Sequence, residues 1–255
     1  MLISNDRESY SLFSFESRVD RAFEHLARQG FARRLWEGDP SLWRQGEEGV
    51  RSINNRLGWM RVVEQMKPRV DEINGFVQEV RAAGMTHAVL MGMGGSSLSP
   101  EVSRLTFGVK VGYPDLMVLD STVPSAVLDV ESRIDLARTL FIVSTKSGTT
   151  VETLSACSHF YEKLKSLAGE SAGSHFVAIT DPGNDLTPRA EELGFRKVFH
   201  NFPNIGGRYS ALSYFGLVPA ALVGADIGEI LERAWTMTER CAGEGHLTRN
   251  PGIAL

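Results

Sequence analysis

Apolar residues recur at helical spacing through the first third of the chain. They repeat every three or four positions in residues 19–36 and again in residues 59–83. Because proline removes a backbone donor and fixes φ, Pro68 is expected to kink the second stretch or to begin a new helix within it. The pattern therefore predicts a helical N-terminal segment, residues 1–84.

From residue 85 the pattern changes to short apolar runs separated by helix-like segments. The five runs lie at residues 87–91, 116–119, 140–143, 176–179 and 197–199. The helix-like segments between them lie at residues 98–107, 123–130, 151–167 and 186–193. Continuous apolar strands that alternate with helices indicate a parallel sheet covered on both faces. We predict an α/β fold with a five-stranded parallel sheet flanked by helices over residues 85–225, followed by helical residues in 226–255.

The bulk composition excludes several classes of protein. The chain has 255 residues, of which 42% are hydrophobic and 23% charged, and its net charge of −4 argues against a nucleic-acid partner. No apolar run reaches membrane-spanning length and no signal peptide is recognisable, so a cytoplasmic protein is expected. Neither the two cysteines nor the six histidines show metal-ligand spacing, so no metal site is expected.

Three loops combine glycine with small hydroxyl residues. We call residues 91–97 (MGMGGSS) the first loop, residues 144–150 (STKSGTT) the second loop and residues 204–210 (NIGGRYS) the third loop. Glycine lets backbone N–H groups approach a phosphate, a helix N-terminus favours its negative charge, and hydroxyls complete its hydrogen bonds. The loops therefore predict a pocket for a phosphorylated small molecule.

The second loop carries the strongest signal, because it follows the most apolar run. Thr145 and Ser147 are expected to face the ligand, and Thr149 or Thr150 to cap the helix that follows. Lys146 is either a solvated surface charge or a partial counter-charge for the phosphate, and the surrounding hydroxyls favour the second interpretation.

The first and third loops are less specific when taken singly. The first loop lacks the third glycine of a dinucleotide fingerprint, and a tight strand-to-helix turn explains it equally well. In the third loop, Arg208 follows two glycines and is suited to stabilising a planar oxyanion, although it could instead cap a nearby helix. Ser210 is expected to be the N-cap of the next helix.

Taken together, the three loops resemble the glucose-6-phosphate isomerase family, which is built from two sugar-isomerase (SIS) subdomains. MGMGGSSLSP at residues 91–100 is similar to the family's GxGGSxLGP motif, with Ser99 in place of a glycine. STKSGTTVET at residues 144–153 is similar to SKSGTTxET, and the third loop is similar to GGRxS. The resemblance covers residues 15–250 and points to the bacterial branch, which includes isomerase modules fused to transaldolase. It implies a flavodoxin-like three-layer SIS domain.

The resemblance also implies an activity and a set of site residues. The family interconverts glucose 6-phosphate and fructose 6-phosphate through an enediol(ate), in glycolysis and gluconeogenesis, as a homodimer that uses no cofactor. Its phosphate contacts correspond to Thr145, Lys146, Ser147, Thr149 and Thr150. Its remaining contacts correspond to Gly95, Ser96, Gly207 and Arg208, of which the arginine stabilises the enediolate.

Two family residues have no counterpart in this sequence. In the family, a glutamate moves the proton between C1 and C2 and a histidine from the partner subunit helps to open the ring. Both lie downstream of the GGRxS motif, and nothing in residues 209–255 matches the motifs that carry them. We therefore expect the N-terminal SIS part of an isomerase, with residues 226–255 leading into an absent second SIS subdomain. Such a chain should bind a sugar phosphate but turn it over negligibly alone.

Two alternatives remain open at this point. The chain could be a stand-alone SIS module that senses a sugar phosphate, although regulators of that kind usually carry a basic helix-turn-helix and residues 1–85 are charge-balanced. It could instead be another SIS aldose–ketose isomerase, acting on an amino-sugar or pentose phosphate. The GGRYS sequence argues against this second alternative.

Overall fold

The computed structural model describes residues 13–242 and 250–254. The predicted segments 1–84 and 226–255 therefore extend in part outside the described residues. Backbone contacts divide the chain into two compact units, one formed by the residues up to Asn54 together with those from Arg233 onward, and the other by Asn55–Glu232. The helical residues 62–82 thus belong to the same unit as the sheet. The sequence-based division at residues 84 and 225 stays a prediction.

The first unit contains three N-terminal helices: α1 (Glu16–Arg28), α2 (Phe31–Trp36) and α3 (Glu47–Asn54). Gly30, with φ at 60°, separates α1 from α2 in a left-handed conformation that suits glycine. The Trp36 indole donates to the Cys241 carbonyl oxygen at 2.9 Å, and the Asn250 side-chain amide donates to the same oxygen at 2.6 Å. These hydrogen bonds join the two ends of the described chain within this unit.

The second unit begins with α4 (Val62–Met66) and α5 (Val70–Ala82), which a 3-10 turn at Lys67–Arg69 separates. Pro68 lies in that turn, as the sequence predicts, because proline cannot donate within a continuous helix. The face of α5 that carries Ile73, Phe76 and Val77 is buried.

The five strands form one parallel sheet, which confirms the predicted fold. They are β1 (His87–Gly92), β2 (Asp115–Leu119), β3 (Thr139–Ser144), β4 (Phe176–Thr180) and β5 (Lys197–His200), and the sheet order is β2-β1-β3-β4-β5. Each strand contains its predicted run and exceeds it by at most one residue at either end. The prediction succeeds because the inner strands are buried on both faces and their central residues are apolar.

Within the described residues, seven α-helices follow β1 in the sequence. They are α6 (Leu98–Phe107), α7 (Pro124–Arg133), α8 (Val151–Ala168), α9 (Leu186–Glu192), α10 (Tyr214–Leu222), α11 (Ile227–Ala242) and α12 (Pro251–Ala254). Among the described helices, none combines the length and the apolar character that crossing a membrane requires.

Aromatic stacking organises the core between the sheet and α8. Phe141 of β3 stacks on Phe160 of α8 at 4.7 Å between ring centroids and on Phe176 of β4 at 5.1 Å. Cys157 lies in the same cluster, and burial raises the pKa of its thiol to about 12. On the other face of the sheet, Phe76 of α5 meets Phe199 of β5 edge to face at 5.2 Å.

A polar contact secures α5 beside that second aromatic pair. Tyr214 Oη donates to Glu72 Oε2 at 2.8 Å, and Lys197 Nζ lies 3.2 Å from Glu72 Oε1. Burial favours the neutral form of Glu72, but the hydrogen bonds from Tyr214 and Lys197 outweigh it, so the pKa of Glu72 is lowered below its ordinary value of 4.5. The ionised carboxylate therefore links α5, β5 and α10.

Candidate functional site

The three glycine- and hydroxyl-containing loops meet at the carboxyl edge of the sheet. The strand order reverses between β1 and β3, because β2 lies on one side of β1 and the later strands lie on the other. Ligands of open parallel sheets bind at such a switch point. The first loop continues from β1 and the second from β3, so both begin there, and the third loop follows β5.

The first and third loops touch through backbone atoms at two glycines. A methyl group placed on Gly95 would overlap the Gly207 carbonyl, so this approach requires glycine at position 95. The Ser210 hydroxyl donates to the Gly207 carbonyl oxygen at 2.7 Å and lies 3.4 Å from that of Gly95. Ser210 is therefore not the helix cap that the sequence suggested. The chain turns once more, and Ser213 caps α10 by accepting from the Phe215 N–H.

The first and second loops are also in direct contact. Ser144 is fully buried at the end of β3, and its hydroxyl donates to the Ser96 carbonyl oxygen at 3.1 Å. A methyl group on Gly92 would lie 2.9 Å from the Ser144 carbonyl oxygen, closer than a side-chain carbon normally approaches. The first loop therefore lies between the other two.

Segment 55–59 supports the third loop. The Gly58 N–H donates to the Asn204 carbonyl oxygen at 2.9 Å, and the Trp59 ring stacks on that of Tyr209 at 5.7 Å with 22° between the planes. A methyl group on Gly58 would overlap the Asn204 side-chain amide oxygen, so the Asn204 side chain would have to move to admit it. No motif in the sequence indicated that this segment reaches the site.

Residues of the three loops and of segment 55–59 line an open cleft of about 1040 Å³. Of the predicted site residues, four line it: Gly95, Lys146, Gly207 and Arg208. The others lie in the same loops without lining this cleft: Ser96, Thr145, Ser147, Thr149 and Thr150. Sequence reasoning missed Asn55, Arg56 and Asp181, which also line it. The structure thus brings the three loops together, and the binding roles of their residues stay predictions.

The hydroxyls of the second loop are paired with one another. Thr145 Oγ1 and Thr150 Oγ1 are 2.9 Å apart, as are Ser147 Oγ and Thr149 Oγ1, and the Thr149 N–H donates to Ser147 Oγ at 3.2 Å. Thr150 occupies the N-cap position of α8, but its hydroxyl bonds Thr145 and makes no capping hydrogen bond. Thr149 does not replace it in that position, so the predicted capping role is wrong for both residues.

This arrangement suits an anion with several oxygens. Hydroxyl pairs can exchange their mutual hydrogen bonds for bonds to a ligand, because each hydroxyl is both donor and acceptor. Behind them, the first N–H groups of the 18-residue helix α8 have no partner within the helix, and its dipole favours negative charge there. Gly148, with φ at 71°, turns the loop toward that helix.

The charges of the described cleft residues sum to an excess of positive charge. Arg56, Lys146 and Arg208 are cationic, and Asp181 is the one carboxylate among the described lining residues. Lys146 forms a salt bridge with Asp181 and also donates to the Pro203 carbonyl oxygen at 2.9 Å. Three cations and one anion leave a formal charge of +2, which complements a phosphate dianion.

The residues that the structure describes include no group of three or more His, Cys, Asp and Glu side chains arranged to hold a metal ion.

Sequence comparisons identify similar proteins. A family model described as phosphoglucose isomerase matches residues 16–246. The glucose-6-phosphate isomerase of Carboxydothermus hydrogenoformans is 36% identical over 210 residues, which cover 78% of this chain and 44% of that protein. The glucose-6-phosphate isomerase of Thermus thermophilus is 35% identical over 199 residues, which cover 74% and 43%. The chain thus spans less than half the length of these relatives.

Solved structures share the fold. A protein of Thermus thermophilus that is described as hypothetical superposes with a TM-score of 0.75 at 30% identity, covering 95% of this chain and 53% of that one. A glucose-6-phosphate isomerase from Chlamydia trachomatis superposes with a TM-score of 0.59 at 24% identity, covering 87% and 39%. The second likeness shows the fold alone.

Proposed function

Because this chain belongs to the phosphoglucose isomerase family, we propose that it forms the sugar-phosphate-binding part of a glucose-6-phosphate isomerase. The complete enzyme would interconvert glucose 6-phosphate and fructose 6-phosphate in glycolysis and gluconeogenesis. The observation that carries the proposal is that one residue of the second loop, Lys146, lines the same cleft as Gly95 of the first loop and Arg208 of the third.

The second loop would bind the phosphate group. The hydroxyls of Thr145, Ser147, Thr149 and Thr150 can each donate to a phosphate oxygen once their mutual hydrogen bonds are released. The N-terminus of α8 adds unpaired N–H groups and a favourable dipole. Gly95 and Ser96 would contact the sugar where the first loop lies beside the second.

Arg208 would act on the reacting carbons. Isomerisation of an aldose to a ketose passes through an enediol(ate), whose developing negative charge needs a fixed donor. Arg208 lines the cleft on the third loop, and Gly207 next to it makes the backbone contact that fixes the loop. A proton transfer of this kind requires no metal or organic cofactor.

The base that moves the proton would come from residues other than those described in the cleft. Asp181 is the one carboxylate among the described lining residues, and it is engaged by Lys146. A general base must reach the proton it abstracts, and phosphate binding alone only positions the substrate. We therefore propose that the 255-residue chain alone binds substrate and turns it over negligibly. From the family resemblance, we also propose that the complete enzyme is a cytoplasmic homodimer.

Calorimetric titration of the purified chain with fructose 6-phosphate tests the binding proposal, with fructose as the control that lacks phosphate. We expect saturable binding of the phosphate ester and none of the free sugar. In a coupled isomerase assay, the same preparation should stay at the background rate. Absence of binding would refute the sugar-phosphate role, and turnover at the rate of an intact isomerase would refute the claim that the base lies elsewhere.

A further inference from the structure

The Lys146 ammonium group has two of its three N–H donors committed to fixed partners. One contacts Asp181 Oδ2 and another donates to the Pro203 carbonyl oxygen at 2.9 Å. Because a lysine ammonium has three donors and no acceptor, one N–H remains. The Lys146 side chain is 33% exposed and lines the cleft, so the remaining N–H is available to a ligand there.

Asp181 is itself held firmly by the chain around it. Its side chain is only 14% exposed. Its second carboxylate oxygen accepts from the Asn201 amide at 3.5 Å, and its backbone N–H donates to the Lys146 carbonyl oxygen at 3.2 Å. Asn184 donates to the Asp181 carbonyl oxygen at 2.7 Å, which fixes the turn. Asp181 therefore fixes both the backbone and the ammonium group of Lys146.

The salt bridge also changes what Lys146 can contribute. The Lys146–Asp181 pair has no net charge, so Lys146 adds nothing to the net charge of the described cleft. Because the Asp181 carboxylate balances the charge of the Lys146 ammonium group, this group adds little long-range attraction for a dianion. Its third N–H remains a directional hydrogen-bond donor. Lys146 lines the cleft together with Arg208, whereas the hydroxyls of Ser147 and Thr149 do not.

We propose that Asp181 is a positioning residue, which with the Pro203 carbonyl orients Lys146 so that its free N–H donates to an oxygen of the sugar. The cleft would then prefer a sugar phosphate to inorganic phosphate, because only the sugar phosphate satisfies this donor. The inference deepens the proposed function and rests on it. It assigns Lys146 to recognition of the sugar, in place of the phosphate contact that the family resemblance implies, while the second-loop hydroxyls recognise the phosphate.

Calorimetric titration of the 255-residue chain with fructose 6-phosphate and with inorganic phosphate measures this preference as a ratio of affinities. Asp181→Asn removes the anchor, and the ratio should fall about tenfold, as expected for one lost hydrogen bond to a charged group. Both ligands carry phosphate, so the change in local charge affects both affinities and largely cancels in the ratio. Asp185→Asn is the matched control, because it removes the same charge from an exposed residue of the same turn and should leave the ratio unchanged.

A double-mutant cycle tests whether Asp181 acts through Lys146. Lys146→Met should lower the ratio as much as Asp181→Asn does, and the two changes together should lower it no further. Three results would each overturn the inference. The first is an unchanged affinity ratio in Asp181→Asn, and the second is a double variant in which the two losses of the ratio add. The third is an equal loss of affinity for both ligands that accompanies a fall in melting temperature. If Asp181→Asn does not fold, Lys146→Met decides the question, and a retained preference overturns it.

The outcomes separate this inference from the proposed function. If the unaltered chain does not bind fructose 6-phosphate, both fail. If it binds with a preference over inorganic phosphate that Asp181→Asn leaves intact, the proposed function stands and the positioning role alone fails.

Discussion

The loops of the cleft are held together in two different ways. The first and third loops meet through backbone atoms at Gly95 and Gly207, where no side chain fits between them. The second loop is stabilised internally by side-chain hydrogen bonds, among them the hydroxyl pair of Thr145 and Thr150. Backbone packing fixes a shape, whereas hydroxyls can exchange partners with a ligand. The contrast agrees with the proposal that the first and third loops supply geometry and charge stabilisation and that the second supplies phosphate affinity.

Removing the arginine of the third loop should have the largest effect. In the complete enzyme, we expect Arg208→Ala to lower turnover by about 10²–10³, the usual effect of losing one donor to a developing oxyanion. The apparent substrate constant should change much less, because phosphate contacts remain. Steady-state kinetics measure both quantities. Arg56→Ala is the matched control, since it removes an arginine from the same cleft. An equal loss of turnover in Arg56→Ala would show that the effect comes from the charge of the cleft and not from a specific role of Arg208.

Substituting the glycine between the first and third loops tests the backbone contact. Gly95→Ala places a methyl group where the Gly207 carbonyl lies, and we expect a loss of about 3 kcal/mol in the free energy of unfolding, with loss of ligand binding. Urea denaturation measures the first and calorimetry the second. Gly207→Ala should leave the free energy of unfolding almost unchanged, because no atom outside its chain neighbours lies within 4 Å of the added carbon. Equal destabilisation by both variants would show that the contact is not the cause.

A conservative change in the second loop probes its hydroxyls. Thr150→Val keeps the shape and removes one hydroxyl, so we expect about tenfold weaker binding of fructose 6-phosphate in the chain, equivalent to about 1.4 kcal/mol. In the complete enzyme it should raise the apparent substrate constant and leave turnover nearly constant. Thr150→Ser should restore most of the affinity. A defect confined to turnover would count against a phosphate role.

The smallest effect is expected away from the cleft, at the carboxylate that links α5 to β5 and α10. Ionised Glu72 contributes stability because its pKa is lower in the folded than in the unfolded chain. This contribution is complete at pH 7 and is lost as pH falls below 4.5 through the lowered pKa of the folded form. Since the side chain is 36% exposed, we expect Glu72→Gln to cost about 0.5–1 kcal/mol at pH 7. The difference between the two proteins should vanish in acid, as urea denaturation across pH can show, and a constant difference would contradict the assignment.

The sequence predicted the sheet well because its strands follow a rule that needs no tertiary information. Residues buried on both faces of a parallel sheet are apolar throughout, so the run at residues 140–143 lies inside β3. The three loops were predictable for a related reason, since they continue from strand ends that meet at one edge. The helix Leu98–Phe107 was located to the residue.

What the sequence did not reveal depends on contacts between distant parts of the chain. Asp181 stands in an Asp-Pro-Gly-Asn sequence that is typical of a turn, and nothing local shows that its carboxylate meets Lys146. Arg56 lines the cleft, and nearby Gly58 donates its backbone N–H to the carbonyl oxygen of Asn204, which lies far along the chain; neither contact has a local signal in the sequence. The capping role predicted for Thr150 failed because its hydroxyl has a nearby alternative partner, which propensity does not take into account.

The buried thiol of Cys157 in α8 can report when the surrounding core opens. With a pKa of about 12, Cys157 is almost entirely protonated at neutral pH, and the protein around it excludes alkylating reagents. Cys241, the other cysteine of the chain, is partly accessible. Pulsed labelling read by mass spectrometry should therefore modify Cys241 promptly and Cys157 only when the aromatic cluster separates. The slow step would time local unfolding of the sheet domain without any introduced probe.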